Sequence, residues 1–186
     1  MKKVLFIIAA AIVAFAISCQ KDPIGKTETA ALAGQWYVIY NCVDASGEII
    51  PGFEDFNEGY SLALTFSVAS NAADSIWVSD TENSNLLGYQ VKVPCNLSAL
   101  TFGSETEEPN RHPDSGGIGA GYITDKAVVS KGKILLGAAK TPSGMPADSI
   151  FFEVKLSDDA LAAAYGYDHY QVVGFRYTGF AADEDE

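Results

Sequence analysis

The chain has 186 residues, 24 of them acidic and 12 basic, for a formal net charge of −12. That balance argues against nucleic acid or an anionic membrane surface as a partner. The length suits one domain with one core, and no internal repeat, heptad run or long helical period is present.

At the N-terminus, Lys2 and Lys3 precede an uncharged run over 4–17, too short to span a bilayer comfortably. It ends in Ala16-Ile17-Ser18-Cys19. Small residues before a cysteine let a signal peptidase reach the bond. The stretch resembles a bacterial lipobox, in which the cysteine becomes the first mature residue and carries lipid; Ala16 stands where that pattern usually has Leu. The expected organisation is a signal peptide over 1–18, lipidated Cys19 with a polar tether over 19–31, a folded domain over 32–180 and an acidic tail over 181–186. Several acyl chains on Cys19 would hold firmly, since each buried methylene contributes about 0.8 kcal/mol. Gln20-Lys21-Asp22 resembles the short charged export tags of Bacteroidetes lipoproteins. The expected location is therefore the cell envelope, as an outer membrane lipoprotein on the periplasmic side or the cell surface, with the membrane met through Cys19.

The folded stretch has a period of two. "LAGQWYVIY" (32–40) is the first strand, with Gly34 two residues before Trp36. "YSLALTFSV" (60–68) puts Tyr60, Leu62, Leu64 and Phe66 on one face and Ser61, Ala63 and Thr65 on the other. "SIWVSD" (75–80) follows a polar loop. "LLGYQVKVP" (86–94) sets Tyr89, Val91 and Val93 against Gln90 and Lys92, and "SALTF" (98–102) is a short strand. "YITDKAVVS" and "KILLGAAK" flank Lys131-Gly132, a tight-turn signal. "SIFFEVKL" (149–156) alternates Ile150, Phe152 and Val154 with Glu153 and Lys155, and "HYQVVGFRYTGF" (169–180) is last. One short helix is expected over 157–165, with Ser157 as N-cap and Gly166 as its stop. Strands joined by short polar turns form an antiparallel meander, and about eight of them can remove their edges by closing. The expected fold is all-β: a single antiparallel up-and-down barrel. A sandwich is the rival.

Lipocalin-like (calycin) barrels commonly carry Gly-x-Trp in the first strand, with an Arg from the far end of the chain packed across the Trp ring. Gly34-Gln35-Trp36 and Arg176 are similar, which implies a stacking pair at one barrel end. The order "AGQWYV", "NAADSIWVSD", "GKILLGAAKTPSGMPADSIFFEVKLSDD", "YQVVGFRYTGF" resembles the Bacteroidetes family of lipid-binding putative hydrolases. That likeness implies a lipoprotein with a calycin-like barrel and an apolar or lipid-like ligand. It brings no catalytic residues that map onto this chain.

The ligand-lining candidates are the large apolar strand faces: Tyr60, Leu62, Leu64 and Phe66; Tyr89, Val91 and Val93; Ile150, Phe152 and Val154. Tyr40, Tyr89 and Tyr170 could supply orienting hydroxyls. The same faces, fully interdigitated, would make only a core. Hydrolysis has one weak candidate, His112 with Asp114 and Ser115 on one loop, since a triad needs its members to meet in space. No His, Cys or carboxylate cluster has metal-ligand spacing, and no cofactor is expected. Cys42 and Cys95 read as two buried thiols in preference to a bridge.

Overall fold

The computed structural model describes residues 26–56, 58–80, 87–111 and 125–183. The expected barrel forms. Strands β1 (Gly34–Val43), β2 (Ser61–Ser67), β3 (Ser75–Ser79) and β4 (Gln90–Asn96) run antiparallel in sequence order. A strand in two pieces follows, β5 (Thr101–Phe102) and β6 (Glu108–Pro109), then β7 (Lys126–Lys140), β8 (Pro146–Leu156) and β9 (His169–Arg176). β5 pairs with both β4 and β7, and β9 pairs with β1, so the sheet closes on itself. With β5 and β6 taken as one interrupted strand, the barrel has eight strands, each beside its neighbours in sequence. The helix α1 (Ala160–Tyr165) lies between β8 and β9. Its N-cap is Asp159 and not Ser157: the Asp159 carboxylate accepts from the amides of Leu161 and Ala162. Gly166 ends it in the left-handed conformation at φ 81°.

The register fixes which faces point inward. Trp36, Val38, Tyr40 and Cys42 of β1 are fully buried. Opposite them on β9 stand Arg176, Gly174, Val172 and Tyr170, and on β8 the inward set is Ile150, Phe152 and Val154. Tyr89, Val91 and Val93 also face in. With Ile76, Val78, Phe102, Val129 and Ile134 these side chains form one continuous cluster.

Strand β2 is turned the other way round from expectation. Ala63 lies opposite Trp36, Ser61 opposite Val38 and Thr65 opposite Gly34, and these three small residues are the buried ones. Leu62 and Leu64, opposite Tyr37 and Gln35, face outward, as does Phe66 opposite Trp77. Leu62, Leu64 and Phe66 are therefore not interior ligand-lining residues, and neither is Tyr60, whose ring packs outside against Tyr37 and Phe175. The cause is volume. The neighbouring strand fills this part of the barrel with an indole, so the facing positions can hold little more than a methyl or a hydroxyl. Lys131-Gly132 is likewise no turn. It is a bulge inside the 15-residue β7, where the register against β8 shifts. Gly132 lies directly under the Phe102 ring, and any Cβ there would strike it.

Residues 28–31, at the end of the stretch read as tether, form turns packed on the barrel together with Leu32: Thr29 and Leu32 are buried, and the Thr29 and Ser67 hydroxyls are 2.7 Å apart.

Candidate functional site

The two ends of the barrel are built differently. At the end where β1 begins, Trp36 is sealed in. Its Nε1 donates to Thr65 Oγ1 at 2.9 Å, and Thr65 Oγ1 donates to the Leu32 carbonyl at 2.5 Å. The Arg176 guanidinium carbon lies 4.3 Å from the Trp36 ring centroid. Arg176 Nε donates to Asp148 Oδ2 and Nη1 to the Ala33 carbonyl, both at 3.0 Å. Gly34 is glycine because the guanidinium occupies the space its Cβ would need. This end is a clasp.

The opposite end, beside α1, is an aromatic mouth. After Val43 the chain makes a loop that returns along β1, where the Phe56 amide donates to the Tyr40 carbonyl at 2.7 Å and the Cys42 amide to the Phe53 carbonyl at 3.0 Å. This lays Phe53 and Phe56 across the opening. Phe53 meets Tyr165 with ring centroids 5.3 Å apart, and Phe56 meets Tyr170 at 5.8 Å. Below them the Tyr40 and Tyr89 hydroxyls are 3.1 Å apart. The Tyr170 hydroxyl donates to Asp159 Oδ2 at 2.7 Å, and the Tyr167 hydroxyl lies within hydrogen-bond reach of both Asp159 Oδ2, at 3.1 Å, and the Tyr170 hydroxyl, with one proton to share between them. One carboxylate thus caps α1 with one oxygen and gathers two phenols with the other. A cleft of about 520 Å³ opens alongside, lined by Leu156, Ala162 and Tyr167 and also by Lys155, Asp158 and Asp168.

The chemistry of this mouth is that of binding. Burial holds the Tyr40, Tyr89 and Tyr170 hydroxyls well above their ordinary range, so they stay neutral and can donate. Burial, with Asp159 nearby, pushes the Cys42 thiol up to about 12, so it is no nucleophile at neutral pH. Cys42 and Cys95 are both free thiols, but only Cys42, near the mouth, is buried as expected; Cys95, near the other end, is partly exposed and lines a surface cleft. Among the described residues no group of three or more metal-binding side chains is gathered.

His169 sits on the outer face of β9. Its Nδ1 is 3.0 Å from Asp168 Oδ2, and its Nε2 is 3.4 Å from Glu153 Oε2. His112, Asp114 and Ser115 lie outside the described residues, as does Cys19.

Of the ligand-lining candidates, the fold gathers Tyr40 and Tyr89 at the mouth. It puts Val91, Val93, Ile150, Phe152 and Val154 into the packed interior. Asp159, Tyr167, Phe53 and Phe56 were not singled out by sequence. The available signal was two phenylalanines in an otherwise polar connection, "PGFEDFNEGY".

A family profile described as lipid-binding putative hydrolase matches residues 21–181. The chain belongs to that family. Its membership fits a lipid-binding protein built on a β-barrel. A comparison with curated proteins finds no match. The family's description agrees with the aromatic rings packed across the mouth. As for its hydrolase half, the cleft beside the mouth holds Ser157, whose hydroxyl donates to Asp158 Oδ1 at 2.5 Å, and among the described residues no histidine lines that cleft.

Proposed function

We propose that this family member holds the apolar part of a lipid-like ligand at the α1 end of its barrel, as a binding protein and not as a hydrolase. The carrying observation is the mouth itself. Aromatic rings close it, three buried neutral phenols lie beneath, and its cover is a helix of six residues with no buried side chain. Burial of an apolar chain there would supply the affinity, and the phenols would orient its polar end. In the closed state described here the interior is packed, so the ligand enters by displacing α1 and the Phe53–Phe56 loop.

The same proposal places the protein in the cell envelope, as an outer membrane lipoprotein held by lipid on Cys19. The lipobox-like run ending at Cys19 supports this.

Two measurements test the reading. Asp159→Ala unties α1 and two tyrosines at once, and it should speed uptake of a fluorescent fatty acid several-fold. If the wild type takes up no apolar probe at any concentration, a solid-cored structural lipoprotein replaces this reading. Labelled fatty acid should be incorporated at Cys19; a Cys19→Ala variant that stays equally membrane-bound would sink the anchor.

A further inference from the structure

The β7–β8 hairpin overruns the rest of the barrel at the clasp end. The last β8 residue that pairs with β9 is Ser149, opposite Phe175, whereas Ala139–Ala147 and Lys140–Pro146 pair only with each other. The hairpin carries large exposed apolar side chains at its base, tip and flank. Leu135, Leu136 and Met145 are 48, 68 and 59 % exposed, and Phe180, which shares a cleft with Pro146 and Ala147 on the arm's flank, is 66 % exposed. Of the six large apolar side chains that stand exposed among the described residues, four are here. Single exposed apolar residues need no explanation; a group of them on one arm does.

The arm is held in place. The Thr141 amide donates to the Met145 carbonyl at 2.9 Å, closing the tip. Asp183 then ties the tip to the C-terminal turn, accepting from the Ser143 amide at 3.1 Å and from the Thr178 hydroxyl at 2.6 Å. Phe180 is thereby fixed beside the hairpin.

The N-terminal segment crosses the same end. The Glu28 amide donates to Asn71 in the β2–β3 loop at 2.9 Å, Leu32 is buried, and the Ala33 carbonyl receives Arg176. The first described residues therefore lie at this end, and with six residues between Cys19 and Lys26 the two Cα atoms are at most about 25 Å apart.

We propose that this apolar arm, Leu135, Leu136, Met145 and Phe180, docks into the face of a phospholipid bilayer, with the clasp end toward the membrane and the aromatic mouth turned away. The proposal rests on the Cys19 anchor for proximity but not for the contact itself. The lipid is zwitterionic, because the charges at the arm have no single sign: Lys140 stands exposed at its edge, Arg176 and Asp148 border the cleft beside Phe180, and Asp183 is buried in the turn, so the contact neither needs nor favours a charged headgroup. Association through the arm should accordingly survive high salt, because it is apolar and not ionic. The orientation also leaves α1 and the Phe53 loop free to move in water.

Met145 supplies its own probe, since methionine exposed to peroxide becomes the sulfoxide, the sulfur gaining one oxygen as peroxide is reduced to water. The full chain carrying Tyr165→Met gives an internal reference at the other end, where Tyr165 is 56 % exposed. In the absence of vesicles the two methionines should oxidise at similar rates. On phosphatidylcholine vesicles Met145 should oxidise several-fold more slowly than the introduced methionine. Adding Leu136→Asp and Phe180→Asp should bring the two rates back together.

Equal rates on vesicles that nonetheless carry the protein overturn the docking and leave the anchor standing. Protection of Met145 without any vesicle, with a doubled mass in sedimentation, identifies a second copy as the occupant and also overturns it. Protection on vesicles by protein that carries no lipid on Cys19 would sustain the docking and show that the arm alone suffices for the contact.

Discussion

A guanidinium over an indole contributes on the order of 0.5–1 kcal/mol in water and about 2 kcal/mol when desolvated. Arg176 over Trp36 is intermediate: the ring is buried, and the arginine is partly open to solvent. Arg176→Ala should therefore cost about 1–2 kcal/mol, measured by urea unfolding. Lysine should not restore it, since it has no planar face to lay on the ring and cannot reach Asp148 and the Ala33 carbonyl as a fork does. Gly34→Ala forces a methyl into the guanidinium's place, so it should be costly in the wild type and much less so beside Arg176→Ala. Equal costs in the two backgrounds would mean that Gly34 is there for another reason. Asp148 holds the guanidinium from the side. Nothing in spacing connects it with a residue on another strand.

At the scale of elements, alternation located the strands but not their sign. In β2 the apolar set is outside, stacked as Tyr60 on Tyr37 and Phe175, and as Phe66 on Trp77 with ring centroids 6.3 Å apart. The period of a strand is a local property; which face turns inward depends on what the neighbouring strand has already filled. The bulge at Lys131-Gly132 was hidden for a related reason. A lysine at φ 54° before glycine reads as a hairpin turn, and only the partner strand shows that β7 continues. The C-terminal turn yields a pH prediction. Hydrogen bonds from Ser143 and Thr178 hold the Asp183 carboxyl well below the usual carboxylate range. Its folded-state pKa is thus depressed, so its contribution to stability is fully present above the unfolded value of about 3.9 and is lost as pH falls toward the folded value. The difference in melting temperature between wild type and Asp183→Asn should be largest at neutral pH and narrow steadily from about pH 4 downward. A difference that stays constant to pH 2 would mean that the charge of Asp183 does not stabilise the turn.

Across the whole molecule, the closed meander was legible because strand follows strand in the alternation pattern, and because the late helix is too short to serve as a crossover between parallel strands. The inequality of the two ends was not legible. It arises where the loop after β1 doubles back on that strand through backbone bonds that no residue pattern announces. Yet the inequality has a measurable consequence. The clasp end combines a buried indole, a stacked arginine, an ion pair and a docked N-terminal segment. The mouth is covered by one loop and by a six-residue helix, well below the length at which an isolated helix holds itself together in water. What keeps α1 in place is Asp159 and the partly buried Leu161 and Ala162. Opening free energies should follow suit, since local unfolding draws on the region with fewest buried contacts. Amide hydrogen exchange should therefore be fastest in α1 and the 44–56 loop and slowest in β1 and β9 beside the clasp. A saturating fatty acid should slow exchange at the mouth far more than at the clasp. It should also raise stability by RT ln(1 + [L]/Kd), about 2.7 kcal/mol at a hundredfold excess over Kd. If the exchange rates of the two ends match, and neither responds to an apolar ligand that measurably binds, then the ligand enters elsewhere and the mouth is simply a second plug.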